Sequence, residues 1–280
     1  MFESVRFGAV RLYDGCPVGC THCAISAASQ PISRNKLAKE DVLALARLVV
    51  QYGRPRVLFM TGSELRIGEE DFLQISNELV LGMDFRVAVL TSGYWASSQR
   101  LLDEGICYLF KCGVCHVQLS VDAYHSRVSK ELVNQLVSNL CDAGFSLSIN
   151  ETVKVGQSSD CESIDALAKL PASRKHCFTR NAVGRAALEE NSLLSIQAPY
   201  HSCDFGKVLY LHDDSGLYLC SGPGSKLPQR CIGKILQGEV DIYSDRLDQV
   251  EKRVEEVVKS HSSLNCDHCR RCWDAFVSNQ

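Results

Sequence analysis

The chain has 280 residues, is 45% hydrophobic and carries a formal net charge of -3, which supplies one large core, or one core plus an appendage. That balance excludes a dedicated nucleic-acid binder, which needs a basic excess to neutralise phosphates. Apolar runs such as Leu43 to Val50 are too short to span a bilayer. The N-terminus Met1-Phe2-Glu3-Ser4-Val5-Arg6 lacks the charged-then-apolar pattern of an export signal. Without such a signal, a count of 15 cysteines favours metal binding over a disulfide framework. A cytoplasmic protein is expected, and an oxygen-sensitive one if its cysteines hold an iron–sulfur cluster.

Val5 to Tyr13 reads as a strand and runs into Asp14-Gly15-Cys16-Pro17-Val18-Gly19-Cys20-Thr21-His22-Cys23, a Gly- and Pro-containing loop with C-x3-C-x2-C spacing. Leu37 to Tyr52 is an amphipathic helix: Val42, Leu45, Leu48 and Val49 share a face, and Gly53 and Pro55 stop it. Arg56 to Met60 is a short buried strand ending at Thr61-Gly62-Ser63-Glu64. Phe72, Ile75 and Leu79 mark a helix that ends near Gly82, and Phe85 to Leu90 a strand that runs into Thr91-Ser92-Gly93. A helix over Ser97 to Phe110 is interrupted in pattern by Gly105, and Val114 to Val121 is a strand leading into Asp122. Leu132, Leu136 and Leu140 define a helix closed by Gly144, Phe145 to Val153 alternates like a strand, and a weaker helix (Cys161 to Leu170) and strand (Lys175 to Arg180) follow. Six strands alternating with helices imply parallel βαβ units and an open (β/α)6 partial barrel, with ligands gathering at the carboxyl ends of the strands.

After Gly184 the pattern changes. Val208 to Leu211 and Leu217 to Leu219 are short β-like runs joined across His212-Asp213-Asp214-Ser215-Gly216, a hairpin signal. Ser221 to Pro228 is a loop by composition. Leu247, Val250, Val254 and Val257 mark an amphipathic helix, and Asn265-Cys266-Asp267-His268-Cys269-Arg270-Arg271-Cys272-Trp273 lies beyond it. The expected division is a barrel over residues 1–190 and a smaller unit over 191–280.

A loop with three cysteines folds three thiolates around one inorganic core, as iron–sulfur clusters require. A zinc site or buried thiols are the alternatives, although His22, adjacent to Cys23, is an awkward fourth zinc ligand. The C-x3-C-x2-C loop resembles the signature of the radical S-adenosylmethionine (SAM) superfamily. That resemblance implies a [4Fe-4S] cluster on Cys16, Cys20 and Cys23 whose open iron chelates SAM, with His22 packing near the adenine. Gly62-Ser63-Glu64 occupies the place of the family's Gly-Gly-Glu motif, departing from it at Ser63, and implies a carboxylate for the SAM ammonium. Ser120-Val121-Asp122, with His125 and Arg127 behind it, resembles the fourth-strand motif that contacts the SAM ribose and carboxylate, although a helix-capping Asp122 is the ordinary reading. Asn150 in Asn150-Glu151-Thr152 is a further candidate for cofactor binding.

Cys203, Cys220, Cys266 and Cys269, with a hairpin turn between the first two and C-x2-C beyond the last helix, resemble the twitch domain, a shortened relative of the SPASM domain. The resemblance implies one auxiliary [4Fe-4S] cluster; a four-cysteine zinc ribbon is the alternative. Gly184-Arg185-Ala186 is similar to the Gly-Arg-Ala seen in that group, and implies a substrate-orienting role for Arg185. Cys107, Cys112, Cys115, Cys141, Cys161 and Cys177 are expected to be buried, inert thiols, and His116, His176 and His201 polar or core positions.

Length and cysteine spacing most resemble the 2-deoxy-scyllo-inosamine dehydrogenase-like twitch enzymes, which oxidise a secondary alcohol to a ketone. The resemblance implies a radical SAM oxidoreductase acting on a small polar metabolite, with a flavodoxin- or ferredoxin-type electron donor as partner. A peptide maturase and a sulfur-transfer enzyme are the other catalytic readings. An Fe–S electron carrier or a zinc-ribbon interaction protein is the non-enzymatic one.

Overall fold

The computed structural model describes residues 5–13, 15–20, 36–52, 56–61, 63–121, 129–153, 175–179, 208–219 and 230–259. Strands β1 (Phe7–Val10), β2 (Val57–Met60), β3 (Arg86–Thr91), β4 (Val114–Ser120), β5 (Ser146–Val153) and β6 (Lys175–Thr179) lie side by side in chain order, and each pair is parallel. Helices α1 (Lys39–Tyr52), α2 (Glu70–Asn77, continued by a π-helical segment Glu78–Gly82), α3 (Gln99–Lys111) and α4 (Lys130–Asp142) connect the first five. This is the expected α/β partial barrel, a parallel core built from βα units. The helix expected over Cys161 to Leu170 lies outside the described residues.

The C-terminal segment continues the same sheet. Strand β7 (Val208–Leu211) pairs in parallel with the free edge of β1, and β8 (Gly216–Tyr218), β9 (Gly233–Leu236) and β10 (Glu239–Ile242) follow as an antiparallel meander. Helix α5 (Ser244–Lys259) comes next and buries Leu247 and Val250. The expected β7–β8 hairpin is present. The β9–β10 hairpin is an addition to the sequence reading, and turns at Gln237 (φ 53°) and Gly238 (φ 80°). Its turn is held to α1 by the Gly238 N–H, which donates to Asp41 Oδ1 at 2.9 Å.

The two faces of the sheet are unlike. Leu58, Val87, Val89, Val117, Leu119, Leu147 and Ile149 belong to the main apolar core with residues of α1 to α4. Gly8 shares that side: a Cβ there would lie 2.6 Å from Leu58 Cδ1 and 2.9 Å from Val49 Cγ2 of α1, so its absence lets the helix close onto the strand. The alternate residues Ala9, Phe59, Ala88, His116 and Ser146 are in register across five strands on the other, inner face.

Gly105 does not interrupt α3, which runs unbroken through it from a cap at Ser98, whose hydroxyl accepts from Leu101 N. The reason for glycine is packing: a Cβ would stand 2.2 Å from the Trp95 ring. On an open helix alanine is about 1 kcal/mol better than glycine, whereas overfilling a packed site costs about 1–3 kcal/mol. Gly105→Ala is expected to lower the urea midpoint of unfolding; a raised midpoint would show that Trp95 moves aside without cost.

Candidate active site

The site is built where β1, β2 and β3 end. The chain leaves β1 through Leu12 and Tyr13 and returns at Lys36 and Leu37. Tyr13 and Lys36 form an antiparallel bridge, and Leu37 N–H donates to Leu12 O at 3.1 Å. All three cysteines of the C-x3-C-x2-C motif therefore lie within one loop closed at its neck. Tyr13 is buried beneath the Arg66 guanidinium, 4.6 Å from its ring centre, and burial followed by neighbouring Glu69 pushes its phenol pKa up.

Cys16 and Cys20 are half-buried. Burial pushes the Cys16 thiol pKa up, and the backbone N–H groups of Val18 and Glu64 oppose that shift by hydrogen-bonding to the sulfur. Donors aimed at a sulfur favour its thiolate, the form that ligates metal. The same contact joins the cysteine loop to the exit of β2, so Cys16, Cys20 and Glu64 are gathered at one place. Cys23, His22 and Gly62 lie outside the described residues.

Glu64 is 5% exposed. Its Oε1 accepts from the Thr91 hydroxyl, and its Oε2 from the Ser92 N–H and the Ser92 hydroxyl, both at 2.8 Å. Thr91 Oγ1 in turn accepts from Gly93 N–H and from the Trp95 indole N–H, each at 3.0 Å. A buried carboxylate requires such donors, and these three come from the exit of β3. The sequence marks Thr91-Ser92-Gly93 as a strand end, but only the fold shows that Thr91 and Ser92 serve Glu64.

On β4 and β5, Ser120 and Asn150 are neighbours in register and both half-buried. The Asn150 side chain accepts from Gln118 Nε2 at 2.8 Å, and the Val121 N–H donates to the Asn150 carbonyl at 2.8 Å. Asp122, His125, Arg127 and Arg185 fall outside the described residues, as do Cys203, Cys220, Cys266 and Cys269. Cys112 is buried, with its thiol pushed up to about 11 by burial, and half-buried Cys115 donates to Val87 O at 3.4 Å. Cys107 and Cys141 are exposed on α3 and α4, contrary to the expectation of burial, because each falls on the side of its helix turned from the core.

Residues 10–144 match the family model of the radical SAM superfamily. These residues are a radical SAM domain. The superfamily implies a [4Fe-4S] cluster and SAM. The Cys16 and Cys20 thiols, both half-buried, with backbone donors at Cys16, fit the thiolates that such a cluster needs.

The chain is 24% identical over 118 residues to "Putative peptide biosynthesis protein YydG" of Bacillus subtilis (strain 168), a match spanning 42% of this chain and 36% of that protein. Among solved structures it is similar to BtrN in complex with AdoMet and 2-DOIA, at 10% identity and TM-score 0.43, over 82% of this chain and 78% of that one. It is also similar to the cobalamin-dependent S-adenosylmethionine radical enzyme OxsB, at 14% identity and TM-score 0.43, over 89% and 36%. Neither likeness bears on the reaction. No helix among the described residues is long and apolar enough to cross a membrane.

The Thr91 hydroxyl is a neutral donor to a buried carboxylate, a bond that contributes about 1.5–3 kcal/mol. Thr91→Val keeps the shape, removes the donor and leaves the Gly93 and Trp95 N–H groups without this acceptor, and is expected to lower stability by at least that amount in urea titration. Thr91→Ser is expected to restore most of the loss; equal losses for the two would assign the effect to packing.

Proposed function

We propose that this radical SAM enzyme oxidises a secondary alcohol of a small polar metabolite to a ketone. The observation that carries the reading is the gathering of Cys16, Cys20 and Glu64 at the ends of β1 and β2, at the mouth of a barrel whose β4 and β5 present hydrogen-bonding side chains inward. In this reading Cys16, Cys20 and Cys23 hold the SAM-binding cluster. His22 packs at the adenine, and Gly62, Ser63, Glu64, Ser120, Asp122 and Asn150 bind SAM. Glu64, fixed by Thr91 and Ser92, faces the ammonium. When bound, the first cluster would supply the electron for SAM cleavage, and Cys203, Cys220, Cys266 and Cys269 would hold an auxiliary cluster able to accept the electron that the substrate gives up.

The balance for the substrate is one hydrogen atom to the deoxyadenosyl carbon, one electron to the auxiliary cluster and one proton to a basic side chain or water. Arg185 orients the substrate oxygen, since a guanidinium at its usual pKa is a poor base. Residues 1–190 form the barrel and 191–280 the twitch-type unit. A flavodoxin- or ferredoxin-type protein delivers the first electron. Peptide modification is the second reading, favoured by the name of the Bacillus subtilis relative, a putative peptide biosynthesis protein.

Protein reconstituted with iron and sulfide is expected to hold about eight irons per chain, from two sets of thiolates. Replacing Cys16, Cys20 and Cys23 with Ala is expected to remove about half and abolish SAM cleavage. Zinc in the second site, or loss of all iron, contradicts the two-cluster arrangement.

Glu64→Gln is expected to weaken SAM binding about tenfold or more, the order set by roughly 1.5–3 kcal/mol for a hydrogen bond to a charged group. Equilibrium binding of SAM to the reconstituted enzyme reads this directly. An unchanged affinity removes Glu64 from the ammonium site.

A further inference from the structure

A parallel sheet covered on both faces ordinarily has strands that are apolar throughout. β4 and β5 depart from this. Val117, Leu119, Leu147 and Ile149 are 0–1% exposed under the helices, while the intervening His116, Gln118, Ser146, Ser148 and Asn150 are polar. Of these, His116, Gln118, Ser146 and Asn150 remain partly exposed on the inner face. They are ordered by one another: His116 Nδ1 lies 3.1 Å from Ser146 Oγ, His116 Nε2 lies 2.9 Å from Ser148 Oγ, and Gln118 donates to Asn150.

A shift of register between β3 and β4 accompanies this wall. Val87 pairs with Val114 and Ala88 with His116, so one extra residue, Cys115, is taken up on β4. Irregularities of this kind re-aim side chains beside binding sites. The imidazole is in register with the small Ala88, over which it meets the ring of Phe59 from the next strand edge-on. On the same inner face the wall is continued by rings: Phe59 is 6.1 Å from His116 and 5.4 Å from Phe7, centre to centre.

We propose that His116, Gln118 and Ser148 form the substrate-binding wall of the barrel, below the Asn150 assigned to SAM, and that the ligand is an uncharged, hydroxyl-bearing molecule with an apolar face turned to Phe7 and Phe59. This rests on the reading of the chain as an alcohol-oxidising radical SAM enzyme and adds the substrate class and the residues that select it. Imidazole, hydroxyl and carboxamide groups each both donate and accept, and a hydroxyl does the same from a single atom. Among the described inner-face side chains of β2 to β5, the one with a permanent charge is Arg86, exposed at the amino end of β3. The nearby Arg11 is 1% exposed and faces Asp213. A formally charged substrate group would meet no counter-ion among the described side chains of this wall, and burying it unpaired is costly.

The test uses reduced holoenzyme, SAM and a metabolite extract from producing cells grown in deuterium oxide, separated by ion exchange and size into neutral, anionic, cationic and peptide fractions. Abstraction from a seated substrate carries deuterium into 5′-deoxyadenosine, read by mass spectrometry. The neutral fraction is expected to give at least tenfold more deuterated product than any other, and to lose this after acetylation of its hydroxyls. Gln118→Leu and His116→Leu are each expected to lower the deuterated share of 5′-deoxyadenosine at least tenfold, with His116→Gln recovering part of it. Deuterium arising mainly from a charged or peptide fraction, or from none, overturns the proposal, as does an unchanged share in both Leu variants. Failure of the wild-type enzyme to cleave SAM at all would instead overturn the reading beneath it.

Discussion

The structure hangs on β1, which is hydrogen-bonded in parallel to β2 on one side and to β7 on the other. Its exit is pinned from both directions. Thr61 N–H donates to Val10 O at 2.8 Å, and Arg11 N–H donates to Leu211 O at 2.9 Å. Three strand ends are thereby fixed at one level: β1, which feeds the cysteine loop; β2, which feeds Ser63 and Glu64; and β7, which feeds the turn at His212 to Gly216. An edge strand would leave the root of the cysteine loop held on one side. Here the last segment of the sheet supplies the second side, so the C-terminal meander contributes directly to the placement of the site.

Glu64 carries the next constraint. A buried carboxylate is tolerated where donors surround it, and the donors are a hydroxyl, an N–H and a second hydroxyl from Thr91 and Ser92. This binds the exit of β3 to that of β2, and Trp95 extends the link to α3 through its packing on Gly105. The same carboxylate lies close enough to Cys16 to disfavour its thiolate electrostatically, while the Glu64 backbone N–H favours it. One residue thus acts on the sulfur with opposite signs through two groups. A cationic ligand beside the carboxylate would reduce the unfavourable part and leave the favourable hydrogen bond in place.

Much of this was legible in the sequence where the signal is local. The 3.6-residue spacing of Val42, Leu45 and Val49, the short apolar run Val57 to Met60 and the alternation in β5 each identify an element and its buried face. The C-x3-C-x2-C loop and the carboxylate after β2 mark the candidate site. What stayed hidden depends on non-local pairing. Nothing in Val208-Leu209-Tyr210-Leu211 specifies β1 as its partner. The strand Glu239-Val240-Asp241-Ile242 is mostly exposed and follows a Gln237-Gly238 turn, outside the common hairpin dipeptides. Polar alternation at His116, Gln118, Ser146, Ser148 and Asn150 was visible, but it acquires meaning only once β4 and β5 are neighbours whose apolar faces are both covered by helices.

The buried cluster at the junction of β1 and β7 shows how position is secured where apolar packing is not used. Arg11 Nε donates to Tyr13 O at 2.9 Å and its Nη1 lies 3.5 Å from Asp213 Oδ1. His212 sits 3.7 Å from the same carboxylate oxygen, with the rings of Tyr210 and Tyr218 at 4.5 and 4.9 Å. Burial holds the His212 pKa below its usual value, which keeps a second cation from competing with Arg11 for Asp213. Desolvation offsets most of what a buried ion pair gains, so such a pair is weak evidence for stability. Its directional bonds are a different matter. Arg11 reaches the carbonyl of Tyr13 at the neck of the cysteine loop while its charge is held by the turn after β7. An apolar replacement of equal volume would fill the space without joining the two. The cost of burying these charges is thus balanced by a fixed relation between the meander and the loop that bears Cys16 and Cys20.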